Sequence, residues 1–262
     1  MKLRQRLGRQ PLAALWMAMG STTVIELAGS AGADAIIIDA QHGLWDRASL
    51  ESAVGAVAAG TSALVRVAEN TALAIGQALD TGAEGVIVPL VEDGAEAARA
   101  VAAARFPPQG KRSGGGVRPL AGGFLDYCAI ANERTVLALM IETVRGVNNA
   151  AAIARTPGVD LVLIGTGDLA LSLGAGAGKN AHEDACRNIL QACRDAAIPC
   201  AIFTATVEDA VARTREGYAM VIAANDIAVV SSGFGNAMRR FKTDLSSAPP
   251  SAGKQRPNAR RK

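Results

Sequence analysis

The sequence predicts an α/β protein folded as a (β/α)8 TIM barrel, and three observations carry that prediction. Eight short apolar runs alternate with segments whose apolar residues recur at helical spacing. Turns of one grammar, Gly32-Ala-Asp34, Gly82-Ala-Glu84 and Pro157-Gly-Val-Asp160, lead into three of these runs. There the glycine suits the left-handed end of a helix. Polar residues then stand at the carboxyl ends of successive runs, where such a barrel keeps its reactive groups. The length of 262 residues suits one barrel of about 250 residues. A doubly wound open sheet is the second choice.

Taken in order, the first strand is expected over 13–20 and the first barrel helix over 22–30, with Ser21 as a natural cap. Ala35-Ile-Ile-Ile-Asp-Ala-Gln-His-Gly43 opens with four apolar residues, as a strand covered on both faces should. Later runs repeat the plan. Ser62-Ala-Leu-Val-Arg-Val67 ends in Arg66, Val136-Leu-Ala-Leu-Met-Ile-Glu-Thr143 in Glu142, and Leu161-Val-Leu-Ile-Gly-Thr-Gly-Asp168 in Asp168. The remaining strands are Gly85-Val-Ile-Val-Pro-Leu-Val91, 199–203 and 219–223. Helices are expected over 47–59, 71–80, 94–105, 147–155, 183–197, 207–216 and, closing the barrel, 227–241. The long Gly-rich basic stretch 106–123, which leads into a short helix over 124–133, is expected at the reactive end of the barrel after strand four.

Composition narrows the options. Half the residues are apolar and only 3% aromatic, the texture of a parallel sheet wrapped by Ala-rich helices. The formal charge is +3, much of the excess lying in a basic segment 1–12 and a basic tail 244–262. The barrel itself is expected over 13–243. The tail is polar and Pro-containing, which predicts disorder and a solvated end rather than a nucleic-acid contact. The N-terminus imitates a secretory signal, but its apolar stretch is needed as the first strand. No apolar run is long and charge-free enough to span a membrane. Cys128, Cys186, Cys193 and Cys200 form no CxxC pair and no zinc spacing, so they read as free thiols. The expectation is a cytoplasmic protein.

The candidate site follows from the strand ends. Glu142 and Asp168 would sit side by side on the rim, and two carboxylates without His or Cys suit a hard divalent ion, Mg²⁺ or Mn²⁺. Taken singly, either could merely cap a helix or pair with Arg145. Arg66 offers a guanidinium fork for a carboxylate or a developing oxyanion, or else a salt bridge to Glu69. His42 follows Asp39 by three residues, a spacing that can orient an imidazole as a general base. The other histidine, His182, is expected to cap a helix. Asp80, at a helix end, is a candidate for a supporting or interface role only.

Seven motifs in order resemble the metal-dependent pyruvate aldolases of the HpcH/HpaI type, the family of 4-hydroxy-2-oxoheptanedioate and 2-dehydro-3-deoxyglucarate aldolases. They are Asp39-Ala-Gln-His42, Leu64-Val-Arg66, Leu79-Asp-Thr-Gly-Ala83, Gly85-Val-Ile-Val-Pro89, Phe106-Pro-Pro-Gln-Gly-Lys-Arg112, Met140-Ile-Glu142 and Gly165-Thr-Gly-Asp-Leu-Ala-Leu-Ser-Leu-Gly174. The resemblance covers residues 15–235. It implies a barrel of the phosphoenolpyruvate/pyruvate-domain type, commonly a hexamer that exchanges its last helix. It implies Glu142 and Asp168 as ligands of Mg²⁺, Mn²⁺ or Co²⁺. Arg66 would stabilise the enolate oxygen, and His42, supported by Asp39, would be the base at the aldol hydroxyl. Backbone around Gly165, Gly167 and Asp168 would hold the pyruvate carboxylate. The implied activity is cleavage of 4-hydroxy-2-oxo acids to pyruvate and an aldehyde, and the reverse, as in aromatic or sugar acid catabolism. Lysine Schiff-base chemistry is not implied, and no lysine falls on an expected strand.

The chain departs from the family pattern in four places, one of them the unusual Gly114-Gly-Gly116 stretch. Gln41 stands where the family writes Glu, which removes a charge beside His42. Gly165-Thr-Gly167 replaces Gly-Pro-Ala or Gly-Pro-Asn, which predicts a more flexible carboxylate cradle. Leu44-Trp45 predicts a bulkier mouth. These departures keep two alternatives open: an oxaloacetate decarboxylase or biosynthetic condensing enzyme working through the same enolate, and a silent 2-oxo-acid-binding barrel.

Overall fold

A computed structural model describes residues 2–247. Eight parallel strands close into a barrel in sequence order, with β8 returning to pair with β1. They are β1 Leu12–Met17, β2 Ala35–Asp39, β3 Ser62–Arg66, β4 Gly85–Val88, β5 Val136–Ile141, β6 Leu161–Ile164, β7 Cys200–Ile202 and β8 Met220–Asn225. The helices are α1 Leu3–Arg6, α2 Thr22–Gly29, α3 Arg47–Ala56, α4 Ala72–Asp80, α5 Gly94–Ala104, α6 Val117–Ala121 and α7 Phe124–Arg134. There follow α8 Val144–Asn148, α9 Ala150–Ala154, α10 Thr166–Leu173, α11 Ala181–Asp195, α12 Val207–Glu216 and α13 Asp226–Ser247. Polar side chains start the helices: Ser21, Asp46, Thr71, Asp93, Thr143 and Thr206 each accept a backbone N–H from the first turn that follows.

Because side chains alternate along a strand, every second residue faces the barrel axis. Leu12, Ala14 and Trp16 of β1, Ala35 and Ile37 of β2, Leu64 of β3, Ile87 of β4 and Val136, Ala138 and Met140 of β5 meet in this inner core. The intervening residues, such as Ile36, Ile38, Val65, Val86, Leu137 and Leu139, pack outward against the helices. Extending the inner row by two residues reaches Asp39, Arg66 and Glu142. Strand periodicity therefore aims all three into one end of the barrel.

The opposite end is closed by the N-terminal segment. Leu3 is fully buried in the inner core and Leu12 already belongs to β1. Arg4 pairs with Asp160 at 2.7 Å and Arg6 with Asp34. Arg4 and Arg6 are thus anchors for a plug, where the sequence suggested only a basic N-terminal segment.

Four further expectations are corrected. The stretch 106–123 follows α5 and not β4 directly, so it lies at the N-terminal end of the strands, because barrel helices run back against them. It contains α6, and it is tied to the end of α4 by Arg112 to Asp80 and Arg118 to the Thr81 carbonyl. The helix expected over 147–155 is two short ones, α8 and α9, which meet at Asn149. Asp168 lies in the first turn of α10, a helix the sequence reading left out, and not at the end of β6. The final helix runs to Ser247, so residues 244–247 are helical; the rest of the expected tail lies outside the described residues. In α13 itself Phe234, Met238, Phe241 and Leu245 are exposed. Among the described residues no helix is long and apolar enough to cross a membrane.

Candidate active site

A cavity of about 190 Å³ at the carboxyl ends of the strands is lined by Trp16, His42, Arg66, Met140, Glu142, Gly165, Thr166, Gly167, Asp168 and Phe203. Six residues expected at the site, His42, Arg66, Glu142, Gly165, Gly167 and Asp168, therefore meet in one place. Trp16, Met140 and Phe203 were not anticipated. Their signal was available, since each faces inward at the end of a strand. Trp16 and Phe203 meet edge to face, their centroids 5.3 Å apart.

Asp39 lies behind this wall and its role differs from the expected one. Its Oδ1 accepts from Arg66 Nε at 2.8 Å and its Oδ2 from Arg66 Nη2 at 2.5 Å, a fork-to-fork pair. The register makes it so, since Asp39 and Arg66 are Cα partners across β2 and β3. Oδ1 also accepts the backbone N–H groups of Gln41 and His42, and Oδ2 the Trp16 indole N–H. Asp39 thus shapes the turn that carries His42 but orients the Arg66 guanidinium, not the imidazole. Burial raises its carboxyl, but the bonds and charge of Arg66, with the smaller contributions of His42 and Trp16, leave it below the usual range. Trp16 covers the guanidinium, 4.8 Å from ring centre to Cζ. No salt bridge from Arg66 to Glu69 forms. Gly43 permits the tight turn: a Cβ there would sit 2.2 Å from the Asp39 carbonyl oxygen.

Glu142 is 1% exposed. Its Oε1 accepts the Leu90 N–H at 2.8 Å. Leu90 holds a left-handed backbone, φ 53°, a conformation that costs a bulky residue on the order of 1 kcal/mol and that aims this N–H inward. Glu142 Oε2 is buried with no hydrogen-bond partner. Burial, reinforced by the neighbouring Asp168 carboxyl and opposed by the Leu90 N–H and Arg66, pushes the Glu142 carboxyl up to about 7. Gly165 makes this approach possible, because a Cβ on it would lie 2.4 Å from Glu142 Oε2 and 2.7 Å from Met140 Cε.

The first turn of α10 forms the remaining wall. Gly165 precedes it without a capping side chain, so the N–H groups of Thr166, Gly167 and Asp168 are open to an anion. The cradle expected to be flexible is tied down, since Thr166 Oγ1 donates to the Phe203 carbonyl at 3.1 Å. Trp45, expected at the mouth, is instead held in the core, its indole donating to the Met17 carbonyl at 3.1 Å. Leu44 is exposed. Gln41 Oε1 is buried without a partner. Asp80 is remote from this cavity, at the far end of α4 with Arg112; a supporting role within the chain's own site is excluded by the direction of that helix. One anchor went unnoticed in the sequence: buried Asp226 accepts the N–H groups of Ala18 and Met19 and so pins the end of β1.

The pattern of the HpcH/HpaI aldolase/citrate lyase family matches residues 12–232. The chain belongs to this family. It is 34% identical over 229 residues to a hydroxypyruvate/pyruvate aldolase of Paraburkholderia phytofirmans, covering 83% of this chain and 88% of that one. It is 34% identical over 234 residues to a 5-keto-4-deoxy-D-glucarate aldolase of Salmonella arizonae, covering 87% and 91%. A crystal structure of a family protein from Burkholderia cenocepacia superposes with a TM-score of 0.86 at 32% identity, over 92% of this chain and 98% of that one. This family member is an aldolase, a carbon–carbon lyase.

Proposed function

We propose that this aldolase cleaves 4-hydroxy-2-oxo acids to pyruvate and an aldehyde with the residues of this cavity, and that it uses a divalent cation held by Glu142 and Asp168. The observation that carries the reading is Glu142 Oε2, an acceptor buried without a donor beside a second carboxyl. A carboxylate pair fits a hard ion such as Mg²⁺ or Mn²⁺, the other positions falling to water and ligand oxygens. Among the described residues no three His, Cys, Asp or Glu side chains converge, so these two would be its protein ligands. When bound, such an ion supplies Lewis acidity toward the oxygens of a 2-oxo acid.

The chain's own groups do the rest. The free N–H groups at the start of α10 receive the substrate carboxylate. Arg66, with Nε and Nη2 committed to Asp39, turns Nη1 to the 2-oxo oxygen, where negative charge develops as C3–C4 breaks. His42 takes the proton of the 4-hydroxyl as the aldehyde carbonyl forms, and the electron pair of the broken bond passes into the pyruvate enolate. The proton held by His42, returned to C3 through water, completes pyruvate and restores the base. No lysine lines the cavity, which supports the enolate route over a Schiff base. The exposed apolar residues of α13 support association of several copies of the chain.

The test is pyruvate release from a panel of 4-hydroxy-2-oxo acids and from oxaloacetate, with and without EDTA. Chelator-sensitive pyruvate from a hydroxy-oxo acid, restored by Mg²⁺ or Mn²⁺, is expected. Turnover of oxaloacetate alone would replace this reading with decarboxylation, and full activity after chelation would remove the metal from it.

A further inference from the structure

The second histidine of the chain touches the wall of the cavity from behind. In the first turn of α11, His182 Nε2 lies 3.0 Å from the Thr166 carbonyl oxygen. A carbonyl only accepts, so Nε2 carries the hydrogen of this bond. Cys186 Sγ, one helical turn on, lies 3.9 Å from Nδ1. Burial, helped by Glu183, pushes the Cys186 thiol up to about 11, so the group beside the ring is a neutral thiol. Thr166 is also held from its other side, where Oγ1 donates to the Phe203 carbonyl. Two hydrogen bonds thus converge on the first residue of α10.

That turn needs such a brace. Thr166 stands between two glycines, the most permissive backbone positions. A Cβ at Gly167 would meet nothing within 4 Å, so no packing restrains that residue. The same turn carries Asp168 and the N–H groups that face the cavity.

We propose that His182 is a positioning residue, which, through its hydrogen bond to the Thr166 carbonyl, fixes the first turn of α10 and so the placing of Asp168 and the anion-binding N–H groups. The inference rests on the reading of that turn given above. It reverses the expectation that His182 only caps its own helix.

The experiment compares the full-length wild type with His182→Ala and His182→Gln; the glutamine amide can still donate near the position of Nε2. Three quantities are read: the Kd for Mn²⁺ by electron paramagnetic resonance, KM and kcat for pyruvate release, and Tm. His182→Ala is expected to weaken Mn²⁺ binding and raise KM about three- to tenfold, the range one hydrogen bond commands. His182→Gln should recover most of that loss. Thr166→Val removes the other tether, and its effect combined with His182→Ala should be less than multiplicative, because both act on one turn. An unchanged Kd and KM in His182→Ala would overturn the proposal. So would a lowered Tm with Kd and KM unchanged at a temperature where the variant is folded, which would leave His182 a merely structural residue. A wild type that neither binds Mn²⁺ nor releases pyruvate would instead refute the reading of the cavity, and this inference would fall with it.

Discussion

Replacing Glu142 by Gln should make the metal-free protein more stable while abolishing its activity. The Glu142 carboxyl is nearly fully buried, and burial first, then the neighbouring Asp168, pushes it up to about 7 from an ordinary 4.5. At about 1.4 kcal/mol per pH unit, keeping it ionised in the fold costs on the order of 3 kcal/mol. Between pH 4.5 and 7 the folded chain holds a proton that the unfolded chain has released. Stability therefore falls as pH rises through that window, and above it the full cost is present. Glutamine keeps an oxygen for the Leu90 N–H and carries no charge. In EDTA at pH 8 the variant should gain up to about 3 kcal/mol, a rise in Tm of roughly 5–10 °C for a chain of this size. At pH 5 the gain should shrink toward zero. Thermal unfolding by circular dichroism across pH 5–8 measures it. Added Mn²⁺ should then stabilise the wild type and leave the variant unchanged. An equal Tm for the two proteins at pH 8, or a gain that does not vary with pH, would refute the argument that an ionised carboxylate is held there against desolvation.

Two other substitutions test the geometry around that carboxylate. Asp39→Asn removes the charge that holds both Arg66 Nε and Nη2, so a buried guanidinium loses its partner. We expect a loss of about 3 kcal/mol in urea unfolding together with a fall in kcat of about a hundredfold, since the same fork aims Nη1; a fully active variant would show that Arg66 does not need its partner. Gly165→Ala places a methyl 2.4 Å from Glu142 Oε2. It should weaken Mn²⁺ binding about five- to 150-fold, in line with about 1–3 kcal/mol for forced overpacking, and a titration matching the wild type would mean that the glycine is not required there.

The strands were legible because a buried parallel strand is written as a continuous apolar run, and the alternation of strand and helix leaves few other topologies. Asp39, Arg66 and Glu142 were legible for the same reason, as each continues an inward row past the last apolar residue. That they converge follows from barrel closure, which places β2, β3 and β5 around one axis. The sequence did not reveal what Asp39 does, because nearness along the chain suggested His42 whereas strand register supplied Arg66. Nor did it show on which end of the barrel the Gly-rich stretch lies, or that Leu3 plugs the floor. His182 read as a cap until the packing of α11 on α10 set its ring against Thr166. Strand pattern is local and survives in one dimension. A hydrogen bond between residues 16 or 27 positions apart depends on how the elements pack, and the tertiary structure alone decides it.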